Sequence, residues 1–260
     1  MAILPSLMIS DPFFYAMAVP AVILVGLSKG GFRGLGLLSL PMMALAMSPI
    51  QAAAIMLPIL IVQDTVAVWA YRRDWDRRNL VILLPSAAVG VGLGYLLAEY
   101  VSDAGIALAV GLLSVAFAAR QLLLERGARA RPAEKAAGVA AGWFWGILTG
   151  FTSMIGNAGG PTFQVYIMPQ RLPRDIFVGT GSVFFAILNW IKVPPFMALG
   201  QFTTANLSTA AALFPLAIVS TWAGVWLVRR VSGERFYDIV YVLLLLLGCK
   251  LVADGVGWTG

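Results

Sequence analysis

Long apolar runs separated by short polar loops fill most of the 260-residue chain. A run of about 20 mostly apolar residues is long enough to cross a bilayer as a helix. Six such runs are uninterrupted, and we predict a membrane-spanning helix in each. They lie near residues 52–71, 80–100, 104–124, 176–192, 203–228 and 236–254. The motif KVPP at the end of the fourth run is expected to end its helix, because proline lacks a backbone N–H.

Two further apolar regions, 12–47 and 137–168, are interrupted by glycine. The first contains GLSKGGFRGLGLLSLP (26–41) and the second contains TSMIGNAGGP (152–161). Glycine accepts unusual backbone angles and allows other segments to approach closely. Neither region is long enough for two full spans, so we predict a broken hairpin in each.

The positive charges are concentrated between the apolar runs. Thirteen of the eighteen Lys and Arg residues fall in four short loops. These are RRDWDRR (72–78), ERGARARPAEK (125–135), PQRLPRD (169–175) and RRVSGER (229–235). Short loops rich in Lys and Arg stay on the cytoplasmic side of a membrane. We therefore predict that all four loops are cytoplasmic and that both chain termini lie outside.

The two halves of the chain align weakly at an offset of 124 residues. The matching pairs are Gly26 with Gly150, Gly36 with Gly160, and Pro49 with Pro173. A hairpin followed by three spans crosses an odd number of times, so the second half would be inverted relative to the first. Inverted repeats with interrupted segments at matching positions indicate the central site of a transporter. The alternative is chance matching between glycine-rich apolar segments.

The predicted fold is thus an all-α polytopic membrane protein with two inverted-topology repeats. Each repeat contains one Gly-interrupted hairpin and three transmembrane helices. We expect residues 1–124 to form the first repeat, 125–136 a cytoplasmic basic linker, and 137–260 the second repeat.

The composition narrows the chemistry. Hydrophobic residues make up 60% of the chain and charged residues 12%, and the mean hydropathy is +0.87, which leaves no soluble domain. There is no histidine and only one cysteine, Cys249, so disulfide frameworks and Cys/His metal sites are excluded. We expect no metal and no cofactor. The net charge of +6 lies in the loops and does not indicate nucleic acid as a partner.

Charged and polar residues within the two hairpins are the first candidates for a binding site. A charge at bilayer depth costs several kcal/mol and usually marks a pathway. Each helix break would expose an N-terminus, which attracts anions. The hairpin residues expected to contact an anion are Lys29, Gly30, Gly31, Arg33, Asn157, Gly159, Gly160 and Thr162. The alternative for the two cations is that the hairpin tip lies near the surface and both side chains reach water.

Three polar residues inside ordinary spans complete the candidate site. Asp64 is the only carboxylate deep in a predicted span. It is a counter-ion to Lys29 or Arg33, a proton carrier, or the partner of a helix end. Asn189 lies one residue from the repeat equivalent of Asp64 and is expected to be its neutral counterpart. Lys192 is expected either in an exit vestibule or with its ammonium reaching the surface.

Several segments resemble the TauE/SafE family of permeases. They are GLSKGGFRGLGLLSLPMMAL, SPIQAAAIMLPIL, AYRRDWD, GNAGGPTFQVYIMPQRLP and LGQFT. The resemblance implies export of a small sulfur-containing anion such as sulfite, sulfoacetate or a related organosulfonate. The expected location is the cytoplasmic (inner) membrane of a bacterium.

The leading hypothesis is therefore a secondary transporter that binds its anion at the midplane, between the two hairpins. An anion channel on the same scaffold is the alternative. An intramembrane enzyme or an assembly factor is a third possibility, but no nucleophile and base are paired, so we expect no enzyme. The expected partners are a small anion and the lipid bilayer. Assembly into a homo-oligomer is left as an open alternative.

Overall fold

All the regular structure in the described part of the computed structural model is helical, as the sequence predicts. The structure describes residues 8–32, 35–98, 100, 102–127, 138–228, 230 and 234–257. The α-helices are α1 (Pro12–Gly30), α2 (Ser39–Met43), α3 (Pro49–Ala70), α4 (Arg77–Ala98), α5 (Asp103–Gly127), α6 (Val139–Gly156), α7 (Gly159–Ile167), α8 (Arg174–Ala198), α9 (Thr204–Ala212), α10 (Phe214–Val228) and α11 (Glu234–Gly255). Short 3₁₀ turns at Leu35–Leu38 and Met168–Gln170 follow α1 and α7.

All six predicted spans fall on helices, but the described residues of α5 and α11, which cover 104–124 and 236–254, do not meet the length and composition needed for a span. By length and composition, five helices in the described residues can cross a membrane: α1, α3, α4, α6 and α8. The number becomes six if α9 and α10, which meet at a 45° bend, form one span. The predicted run 203–228 is therefore helical but bent. The linker predicted at 125–136 lies mostly outside the described residues.

Local sequence signals explain where the long helices begin. The side chain of Asp11 accepts a hydrogen bond from the backbone N–H of Phe13 at 2.9 Å, and Pro12 is the first residue of α1. Ser48 caps α3 in the same way, and Pro49 follows it. A capping oxygen satisfies one of the free N–H groups at a helix start, and proline is tolerated at the first position.

Each interrupted region consists of one long helix and a short return. Helix α1 ends at Gly31, whose φ of 125° is a conformation that other residues rarely adopt. Helix α6 ends at Asn157, which has a left-handed conformation (φ 50°), and α7 then folds back along α6. Gly159 allows this return because a β-carbon there would lie 2.9 Å from the carbonyl oxygen of Thr149.

Described residues in or next to three of the four basic loops meet at one end of the helices. The side chains of Asn79 and Gln170 are hydrogen-bonded at 2.9 Å, and the guanidinium of Arg174 donates to the carbonyl of Val228. At the opposite end, the side chains of Gln51 and Asn206 are hydrogen-bonded at 3.2 Å. The fourth loop lies mainly outside the described residues. This clustering is what a common cytoplasmic face requires.

The first helices of the two halves run in opposite directions. Helix α1 runs towards the basic end, where the Tyr71 hydroxyl donates to the Gly30 carbonyl at 2.9 Å. Helix α6 lies along α4, which leaves the basic end, with Gly142 against Ile82 and Gly94 against Met154. This is the relation that an inverted repeat requires. A two-fold axis relating the whole halves stays a prediction.

The prediction that KVPP ends a helix is wrong. Helix α8 continues through Pro194 and Pro195 to Ala198. Proline is tolerated in membrane helices where neighbouring groups satisfy the backbone atoms that it frees. The consequence is that Lys192 lies within a helix rather than at its end.

Close packing of α4 on α6 depends on glycine. A β-carbon at Gly150 would lie 1.9 Å from the carbonyl oxygen of Ala87, whereas one at Gly92 would meet nothing within 4 Å. We predict that Gly150→Val lowers the melting temperature in detergent by about 5 °C or more, because overpacking costs about 1–3 kcal/mol. The matched control Gly92→Val should melt within about 2 °C of the unmodified protein. Equal melting temperatures for the two variants would contradict this packing.

The topology can be tested with single cysteines in a Cys249→Ser background. We predict that Ser10→Cys, before α1, reacts with a membrane-impermeant maleimide added outside intact cells. Asp175→Cys, in the first turn of α8, should react only after permeabilisation. Both positions are exposed in the structure. The reverse labelling pattern would overturn the predicted orientation.

Candidate functional site

A cavity of about 140 Å³ lies among α1, the return of the first hairpin, and helices α3, α6, α7 and α8. Its lining residues are Val25, Ser28, Lys29, Gly31, Gly36, Leu37, Ser39, Leu60, Ser153, Asn157, Gly160, Phe163, Gln164, Phe177, Val178, Gly181, Ser182, Phe185, Asn189 and Lys192. One water needs roughly 10–15 Å³ of such cavity space, so the cavity has room for a small solute together with several waters.

The lining combines two lysines with neutral polar groups. Hydroxyls, amides and backbone surround the ammonium groups of Lys29 and Lys192. Among the described residues that line the cavity, none is a carboxylate. A cavity with cationic and neutral donors but no lining acid suits an anion and disfavours a cation.

Lys29, Asp64 and Asn189 form one hydrogen-bonded chain beside the cavity. The Lys29 ammonium lies 2.5 Å from one carboxylate oxygen of Asp64, and the Asn189 amide donates to the other at 2.6 Å. Asp64 and Asn189 are almost completely buried. Lys29 Nζ also lies 5.1 Å from the centre of the Phe185 ring, within cation–π range. Of the three roles considered for Asp64, this geometry matches a counter-ion to Lys29.

The pairing of Asp64 with Asn189 follows from the crossing of α3 and α8. Asp64 comes 15 residues after Pro49, the start of α3, and Asn189 comes 15 residues after Arg174, the start of α8. The two helices thus bring near-equivalent positions of the two halves into contact. The sequence offset placed Asn189 one residue from the repeat equivalent of Asp64, and the structure adds the direct hydrogen bond between them.

Lys192 is fully buried and has no carboxylate partner in the described part of the chain. Its ammonium donates to the Asn157 side-chain oxygen at 2.6 Å and to the Ser153 carbonyl at 3.3 Å. Neither expected placement, in an exit vestibule or with the ammonium at the surface, is observed. The ammonium instead lies against the last turn of α6, where the helix dipole favours a cation.

Asn157 connects three parts of the site. It ends α6, its side-chain oxygen accepts from Lys192, and its amide donates to the carbonyl of Ala53 on α3 at 3.4 Å. Asparagine is one of the few residues other than glycine that adopts a left-handed conformation readily. The break in α6 therefore supplies both a turn and a polar side chain.

The remaining predicted site residues divide into two groups. Gly31 and Gly160 line the cavity, whereas Gly30 and Gly159 are buried against neighbouring backbone. Thr162 is not among the residues that line the cavity. Its hydroxyl accepts a hydrogen bond from the Thr149 hydroxyl and donates one to the carbonyl of Gly159, both at 3.0 Å. Arg33, expected to share the site with Lys29, lies outside the described residues.

The helix ends at the cavity differ from the expectation. Two helix N-termini of broken spans were expected to face an anion; among the described residues, α7 presents its first turn through Gly160, and the short helix α2 reaches the cavity with its first residue, Ser39. The first hairpin returns through a 3₁₀ turn. Both lysines lie instead at C-terminal helix ends, Lys29 in the last turn of α1 and Lys192 against the last turn of α6.

Sequence reasoning missed several lining residues on α8. Ser182 and Phe185 precede Asn189 and Lys192 with spacings of three, four and three residues. Such spacings place all four side chains on one face of a helix. This stripe was visible in the sequence and could have identified the lining face of α8.

Comparison with known proteins gives one result. The sequence model of the family described as "Sulfite exporter TauE/SafE" matches residues 18–251, which is nearly the whole chain. No curated protein and no solved structure matches the chain.

Proposed function

Because the chain belongs to the family of the sulfite exporter TauE/SafE, a family of membrane transporters, we propose that it exports a small sulfur-containing anion through the cavity described above. Sulfite, sulfoacetate and related organosulfonates are the candidate substrates. Residues of the two broken hairpins and of α8 bind the anion, and no covalent chemistry is needed. The proposed location is the cytoplasmic membrane of a bacterium.

The observation that carries this proposal is the excess of cations in the buried cluster. Lys29 and Lys192 face one carboxylate, Asp64, and that carboxylate already pairs with Lys29. An ammonium group has three N–H donors, and Lys192 uses two of them on neutral oxygens. A buried charge without an opposite partner is costly. A bound anion would supply the missing partner for Lys192.

Asp64 gives Lys29 an alternative partner when no anion is bound. With no anion present, the carboxylate holds Lys29 and limits the cost of a buried cation. An anion entering the cavity competes with Asp64 for the same ammonium. Lys29 thus contributes to binding without leaving two unpaired cations in the empty carrier.

The cavity extends along most of α8, as a transport path requires. On α8 the lining residues run from Phe177, near the basic end, to Lys192. These residues are 15 positions apart, which is about 22 Å along a helix. The lining of the cavity thus extends along α8 from its first turn to Lys192. Outward movement is electrically favourable, since a monoanion leaving a cell at −100 mV gains about 2.3 kcal/mol.

A ligand screen on purified protein tests the proposal. We predict that sulfite or an organosulfonate, at about 100 times its dissociation constant, raises the melting temperature by about 5–10 °C. Chloride at the same ionic strength should have no such effect. Sulfate and acetate are included to show whether the site prefers sulfite and sulfonates over other oxyanions. Equal shifts with sulfite, sulfonate and chloride would show that the cavity does not select sulfur-containing anions.

Counterflow separates a carrier from a channel. In proteoliposomes loaded with unlabelled substrate, a carrier accumulates labelled substrate transiently and saturably. A channel dissipates the gradient without such accumulation. We expect counterflow, because the chain belongs to a transporter family and a carrier binds its substrate at a saturable site.

A further inference from the structure

One side of the cavity is a wall of phenylalanine rings. Phe163 of α7 and Phe177 and Phe185 of α8 all line the cavity. The centre of the Phe163 ring lies 5.3 Å from that of Phe185 and 6.5 Å from that of Phe177. Rings at such separations pack against one another. These three residues form a continuous apolar surface, the aromatic wall.

The aromatic wall and the lysines occupy different parts of the cavity. Phe177 lies in the first turn of α8, and Lys192 comes 15 residues later, about 22 Å along the helix. Phe185 lies between them, one turn before Asn189, and its ring centre is 5.1 Å from the Lys29 ammonium. The polar part of the cavity therefore gives way to the aromatic wall beside Lys29.

The part of α8 that carries the wall presents no free hydrogen-bond donor from its side chains to the cavity. Between Phe177 and Phe185, Ser182 is the polar residue that lines the cavity, and its hydroxyl donates to the Val178 carbonyl at 2.9 Å. Gly181 also lines this stretch, and a β-carbon there would lie 3.5 Å from the Phe163 ring. Space beside the wall is thus bounded by apolar groups.

The two parts of the cavity favour different chemical groups. The face of an aromatic ring is its negative side, so an anion gains nothing there and gains most at the ammonium groups. Water beside the wall finds few partners, and replacing such water with an apolar group increases affinity. The cavity therefore suits a molecule with one anionic end and an apolar remainder.

We propose that the aromatic wall is a subsite for the organic group of the transported anion, and that the preferred substrate is an organosulfonate with a short apolar substituent. The proposal rests on the proposed function for the anion site. The sulfonate lies between Lys29 and Lys192, and the substituent lies along the wall. Sulfite uses the lysines alone, and sulfoacetate brings a second charge to the rings, so both should bind more weakly.

A series of ligands tests the subsite on the unmodified protein. Titration calorimetry with methane-, ethane- and propanesulfonate should show an affinity that rises about fourfold with each added methylene, as burial of a methylene in an apolar site predicts. The matched control is 2-hydroxyethanesulfonate, which has the shape of propanesulfonate. It should bind about tenfold more weakly, because the wall offers its hydroxyl no partner.

Two variants locate the substituent. Gly181→Val adds bulk beside the wall, 11 residues and about 16 Å along α8 before the lysine that holds the anion. It should weaken propanesulfonate about tenfold and sulfite less than about twofold, whereas Gly92→Val, where a β-carbon meets nothing within 4 Å, should change neither. Phe185→Ala should flatten the methylene series, and Phe144→Ala, at an exposed ring, should not. Melting temperatures confirm that each variant is folded.

The outcomes separate the subsite from the anion site. Equal affinities for the three alkanesulfonates and 2-hydroxyethanesulfonate would overturn the subsite and leave the anion site standing. A rising series that neither Gly181→Val nor Phe185→Ala alters would place the substituent elsewhere and overturn it too. Binding of neither sulfite nor any sulfonate would overturn both proposals. A rising series without counterflow would support the subsite and contradict transport.

Discussion

Replacing Lys192 with methionine is expected to weaken binding of the transported anion at least about tenfold. A charge-assisted hydrogen bond typically contributes about 1.5–3 kcal/mol, and 1.4 kcal/mol is a factor of ten in affinity. Methionine is unbranched and suits a helix, so α8 should be preserved. Titration of sulfite, or of the best ligand from the screen, into each purified protein measures the effect.

The same substitution should leave the empty protein at least as stable as before. Lys192 is fully buried without a carboxylate partner in the described residues, so removing its charge also removes a cost of burial. Weaker binding together with an unchanged or higher melting temperature distinguishes a binding residue from a structural one. Lys250→Met is the matched control, because Lys250 is exposed and pairs with Asp254 at 2.8 Å. Equal loss of affinity in both variants would mean that only overall charge matters.

Asp64→Asn is expected to separate binding from transport. Without the carboxylate, Lys29 has no competing partner, so the anion should bind as tightly as before or more tightly. Turnover should fall about tenfold or more, because the empty site would then contain two unpaired cations and would return less readily. Asparagine retains the shape of the side chain and can still bond to Asn189.

Binding and exchange must both be measured on this variant. Titration gives the affinity, and exchange of labelled substrate in proteoliposomes gives the turnover. Weaker binding by Asp64→Asn would show that the carboxylate supports the anion rather than competing with it. Unchanged exchange would show that the pairing with Lys29 plays no part in the cycle.

Sequence patterns predicted the helices and their glycine-rich breaks well, because both follow from local physics. The apolar run around 52–71 became α3, and the glycine-rich stretches became breaks, since span length and backbone freedom are local properties. The basic loops were expected together, and described residues in or next to three of them meet. The course of α8 through Pro194 was missed, because tolerance of proline depends on neighbouring helices.

The candidate site was only partly predictable. The pairing of Asp64 with Lys29 was one of several alternatives, because sequence shows depth in a span but not the direction of a side chain. The burial of Lys192 depends on the end of α6, 35 residues away from it in the chain at Asn157. Thr162 and Gln164 lie two positions apart on α7, and only the packing of that short helix decides that Gln164 lines the cavity.

Saturable counterflow of labelled sulfite in proteoliposomes, measured on matched lysine variants, tests the central claim most directly. The cavity between Lys29 and Lys192 is proposed as the anion site of a carrier. This proposal predicts counterflow with the unmodified protein and with Lys250→Met. It predicts loss of counterflow at low sulfite concentration with Lys192→Met. Undiminished counterflow in a Lys29→Met, Lys192→Met double variant would contradict the claim, because the anion would then cross by a route that uses neither lysine.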